Sequence, residues 1–108
     1  MVHNIKGDTV NKESKEIIRK IKITSVPLLK KNGVARASLF GSYARGESTK
    51  KSDVDMLIQF KGRKSLLDLA GLEIELESAL KKKVDLLTYK SINHLLRDRI
   101  IKDEVKIL

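Results

Sequence analysis

Two short apolar runs of strand-like composition, Val34 to Phe40 and Asp53 to Phe60, flank a glycine-bearing turn and a polar loop, so the stretch FGSYARGESTKKSDVD (residues 40–55) must leave one strand, tighten at once and return as another. Gly41 allows the backbone to approach a ligand with no Cβ in the way, Ser42 starts a short helical turn, and Gly46 ends it. A strand–turn–strand core of this kind has to be covered by helices, and the remaining sequence provides them.

From Asn11 to Lys22 the residues Ile17, Ile18 and Ile21 recur at helical spacing among charges, which predicts an amphipathic helix. A second short helix is expected after Ser25, with Pro27 in its first turn and the stop at Lys31 to Gly33. Leu69, Leu72, Leu76, Ala79 and Leu80 mark one face of a helix over Leu66 to Lys82, capped by Ser65, with Glu77 placed to pair with Lys81. Leu72, Ile74 and Leu76 also alternate as a strand would, but the length of the segment favours helix. Lys83 to Tyr89 reads as a third strand, and a last helix starts at Ser91 or Asn93. The expected fold is α/β in the α+β sense, a small mixed sheet covered by about four helices.

The 108 residues suit a single domain spanning 1–108, with any further module supplied by a partner. No apolar run reaches the ~20 residues of a membrane span, no segment reads as a signal peptide, and there is no cysteine, so a cytoplasmic location without membrane attachment is expected. The net charge of +9 lies in residues 1–64, where 15 Lys or Arg face 6 Asp or Glu, while residues 65–108 hold 8 of each. Such asymmetry suits an anionic partner such as a nucleotide or RNA, although runs such as Lys81 to Lys83 are more simply a solvated surface.

Asp53 and Asp55, separated by one residue of a strand, project from the same face, and their mutual repulsion calls for a cation. A hard divalent ion such as Mg²⁺ takes oxygen ligands and commonly uses one or two carboxylates with substrate phosphates. Asp85, set between apolar Val84 and Leu86, is a third acid in need of a partner, and reaches the same place if the second and third strands are neighbours. Three carboxylates around two metals make a phosphoryl-transfer site. Gly41, Ser42 and Arg45 would face it as phosphate-binding groups. Glycine, serine and aspartate at the five spaced positions Gly41, Ser42, Gly46, Asp53 and Asp55 coincide by chance at about 10⁻⁴ over a chain of this length. His3 and His94 have no second ligand at metal spacing, and Tyr43 reads as packing or a partner contact.

With GSYARGESTKKSDVD followed by VDLLT, the chain resembles the minimal nucleotidyltransferases of the DNA polymerase β superfamily over nearly its whole length. The resemblance implies a nucleotidyltransferase fold, ATP as substrate and two Mg²⁺ ions. Gly41 and Ser42 would hold the triphosphate with help from Arg45. Asp53 and Asp55 would bind both metals, and Asp85 the catalytic one, where it helps deprotonate the acceptor hydroxyl. Relatives of this kind work as antitoxins beside a HEPN-domain ribonuclease toxin, transferring AMP to one of its tyrosines. Two alternatives remain at this point: an antitoxin that acts by binding alone, and nucleotide transfer to RNA.

Overall fold

The computed structural model describes residues 2–46, 52–92, 98, 100 and 102–108, with side chains from residue 15 onward. The described elements run α1 (Val2–Lys31), β1 (Val34–Phe40), α2 (Gly41–Arg45), β2 (Val54–Phe60), α3 (Leu66–Leu80), β3 (Val84–Thr88) and β4 (Val105–Lys106). The four strands form one mixed sheet in the order β3-β2-β1-β4. β1 is antiparallel to both β2 and β4, whereas β2 and β3 are parallel, joined by the crossover helix α3.

Alternation along the strands explains why α1 and α3 share one face of this sheet. Ala37 and Leu39 of β1, Val54, Met56 and Ile58 of β2, and Val84 and Leu86 of β3 form the core with Ile21 and Leu29 of α1 and Leu72 and Leu76 of α3. The intervening residues Ser38, Asp55, Leu57, Asp85 and Leu87 belong to the opposite face. Ser65 caps α3 through a reciprocal box in which its Oγ accepts from Asp68 N–H and the Asp68 carboxylate accepts from Ser65 N–H.

Three expectations change. The two N-terminal helices are one continuous helix, α1, which runs through Pro27 rather than beginning with it. Proline removes an amide and crowds the carbonyl four residues back, that of Ile23; both Pro27 and Ile23 are exposed, so water can satisfy the freed oxygen. Meanwhile Ile21, Ser25 and Leu29, spaced by four, are buried and hold the helix on the sheet. Secondly, β2 begins at Val54, leaving Asp53 just ahead of it. Thirdly, Glu77 forms no ion pair with Lys81: its Oε2 accepts from Val84 N–H at 3.0 Å, and Lys81 instead closes α3 in the left-handed conformation. Of the last expected helix, residues 93–97, 99 and 101 lie outside the described residues, as do Lys50, Lys51 and His94.

Candidate active site

The parallel register of β2 and β3 sets Asp55 opposite Asp85, directly after the buried pair Val54 and Val84. With the valines facing the helices, both carboxylates turn to the other face of the sheet. Two contacts hold the start of β3 in place: Val84 N–H donates to Glu77 of α3, and Val54 N–H donates to Lys83 O at 2.9 Å.

On the other side of β2, Phe40 lies opposite Asp55, so the chain leaves β1 beside that carboxylate. Gly41 follows at φ +71°, and a Cβ built on it would overlap Asp55 Oδ2 and lie 3.1 Å from its Cγ. Only glycine fits this path. Helix α2 then carries Ser42, half-buried, and Arg45, whose charge acts on Asp55. No side chain caps the start of α2, and Gly46 closes it at φ 72°. Tyr43 is buried in the core with its hydroxyl donating to Ser52 O at 3.3 Å, which ties α2 to the approach to β2 and makes Tyr43 a packing residue.

Electrostatics mark Asp55 as the focus. Its pKa is pushed up to about 6, first by burial, then by the charge of Asp85 and a hydrogen bond with it, then by Asp53, with Arg45 pulling the other way. Burial and the neighbouring acids all penalise the ionised form of the Asp55 carboxyl. Asp53 takes part through its charge from just before the strand. Among the described residues no three His, Asp or Glu side chains are gathered closely enough to hold a metal ion. Asp55 and Asp85 nevertheless form a pair of oxygen donors whose repulsion a hard divalent cation would relieve, so the donor set fits Mg²⁺.

Two acids that the sequence reading did not assign to the site adjoin this pair, Glu73 and Glu77. Glu73, one turn ahead of Glu77 on α3, has a raised pKa through burial, then Glu77, then Asp85, opposed by Lys83. The signal available in the sequence was the four-residue spacing of Glu73 and Glu77, which puts both on one helix face.

Residues 15–108 match the family described as polymerase beta, nucleotidyltransferase. The chain belongs to that family. As a nucleotidyltransferase it is similar to MJ0435 of Methanocaldococcus jannaschii, named as a candidate protein adenylyltransferase, at 54% identity over 84% of this chain and 98% of the relative. Protein adenylyltransferase MntA of Thermococcus cleftensis is 37% identical over 69% of this chain and 76% of its own. Among solved structures, a toxin-antitoxin with AMP-PNP superposes with a TM-score of 0.72 at 25% identity, covering 81% of this chain and 72% of that one. No helix of the described residues is long and apolar enough to cross a membrane.

Proposed function

We propose that this nucleotidyltransferase moves AMP from ATP to a hydroxyl, the tyrosine of a HEPN-domain ribonuclease toxin, and acts as the antitoxin of that pair. The observation that carries the reading is the Asp55–Asp85 pair, seated against the glycine turn that opens α2. Supporting it are the relatives named for protein adenylyl transfer and the similar toxin-antitoxin structure with AMP-PNP.

Gly41 and Ser42 offer backbone amides and a hydroxyl to the triphosphate, unobstructed by a Cβ or a capping side chain, and Arg45 adds a cation to the same anion. Asp55 and Asp85 would hold Mg²⁺, with Asp53 adding its charge from the head of β2; the ion when bound neutralises the charge that builds on the transferring phosphate and leaving pyrophosphate. Asp85, exposed beside Asp55, stands where it can accept the proton of the incoming hydroxyl. Catalysis on this reading is mainly positioning and charge compensation.

The test is mass spectrometry of a HEPN-domain toxin co-expressed with the chain. Addition of adenylate mass to a tyrosine-containing peptide is expected. An unmodified toxin that is nevertheless silenced would show neutralisation by binding and remove the enzymatic reading.

A further inference from the structure

A cavity of about 860 Å³ opens at the other end of the sheet from the acids. It lies where β2 and β3 end, at Ile58 to Phe60 and Thr88, whereas Asp55 and Asp85 lie at their starts. Four residues of extended chain separate Asp55 from Gln59, about 13 Å. Its described lining includes five cations, Arg36, Lys61, Arg63, Lys64 and Lys90, and no acid. None of these five joins an ion pair among the described residues, although the Lys64 charge reaches exposed Asp68.

Cations alone would suit any anion, but here they surround planar groups. The Arg36 guanidinium lies 4.1 Å from the centroid of the Tyr89 ring. Tyr89 is itself fixed: Ser38 Oγ and the Tyr89 hydroxyl are 2.9 Å apart, and that hydroxyl donates to Glu104 Oε2 at 2.9 Å. Half-buried Phe60 and Ile92 add apolar surface. A rigid guanidinium plane on an aromatic ring is a surface on which a nucleobase can stack, and flanking lysines and arginines suit the phosphates that connect bases. An acidic peptide would use the charges but leave the planar platform idle. The cations come from the ends of three adjacent strands, spanning about 10 Å, wide enough to engage more than one phosphate.

We propose that this basic, aromatic-floored cavity is a binding site for single-stranded RNA, separate from the nucleotidyl-transfer site. It does not depend on the transfer reaction proposed above.

Fluorescence anisotropy of a labelled single-stranded oligoribonucleotide with the full chain tests it. Binding should weaken with salt, log K falling by about 0.7 per phosphate contact for each decade of salt. The variant carrying Lys61→Glu, Arg63→Glu and Lys64→Glu should bind at least about tenfold more weakly and lose about two units of that slope. Excess ATP should not displace the RNA. Photo-crosslinking of the unaltered protein guards against a misfolded variant, and crosslinks should map to residues 58–64 and 88–92. Crosslinks elsewhere, unchanged binding by the variant, complete displacement by ATP, or tighter binding of an acidic peptide than of RNA would each overturn the proposal.

Discussion

Gly41 passes so close to Asp55 that a single methyl group on its Cα would occupy the space of the carboxylate. Two penalties follow for Gly41→Ala: alanine at φ +71° costs about 1 kcal/mol, and relief of the overlap must move either the turn or Asp55. Because a displacement of about 1 Å at a reacting centre can cost a hundredfold, AMP transfer should fall by about that factor while the fold persists. Initial rates and urea unfolding measure the two effects. Near-normal transfer would show that the turn does not set the site's geometry.

Asp55 makes stability depend on pH with a definite sign. Its folded pKa, about 6, exceeds the ordinary 3.8, so the fold favours the protonated carboxyl. The associated stability is full below about pH 3.8 and is lost as pH rises through about 6. Asp55→Asn removes the repulsion at any pH. In chelator the variant should therefore exceed the unaltered protein at pH 7 by on the order of 1 kcal/mol, a figure discounted for the carboxyl's partial exposure. That advantage should shrink towards pH 4. Thermal unfolding across this range checks it; a constant difference would contradict a raised Asp55 pKa.

Glu77 links α3 to the first residue of β3, next to Asp85. Glu77→Ala strands the Val84 amide and should cost about 1–2 kcal/mol, with AMP transfer reduced about tenfold through a loosened Asp85. Glu77→Gln keeps an oxygen acceptor and should recover most of both. Equal damage by the two variants would assign the effect to charge instead of the hydrogen bond.

Ser25 is wholly buried on α1 and its hydroxyl has no hydrogen-bond partner among the described residues. Ser25→Ala removes an unsatisfied polar atom and improves helix propensity, so unfolding should become harder by about 1 kcal/mol with transfer rates unchanged. Denaturant titration decides it, and destabilisation would mean that the hydroxyl has a partner.

Much of this architecture could be read from residue order because local chemistry and tertiary environment agree. Val34 to Phe40 and Val54 to Phe60 have strand composition and are strands; the turn at Gly41 to Gly46 needed glycines at both ends and has positive φ at both. The length of the Leu66 to Leu80 segment outweighed its partial alternation, and α3 is a helix. Pro27 misled because proline's cost depends on whether its displaced carbonyl meets water, a tertiary matter. β4 has only two residues, too few for a periodic pattern, and exists because β1 has a free edge for Val105 and Lys106 to pair with. At the site, spacing put the acids on one face, but the departure of Asp53 from the strand and the role of Glu77 depend on how β3 docks on α3. The cavity at the far end of β2 and β3 could not be read from order alone, since its cations come from segments distant in sequence.

The most direct test of the account is transfer of label from α-labelled ATP to a HEPN-domain toxin, comparing the unaltered chain with Asp55→Asn and Asp85→Asn at matched folding by circular dichroism. Loss of several kcal/mol of charge compensation corresponds to about a thousandfold, so the unaltered chain should label the toxin and each variant should fall by that order. Labelling by either variant at the unaltered rate would contradict the claim that these two carboxylates form the reaction centre.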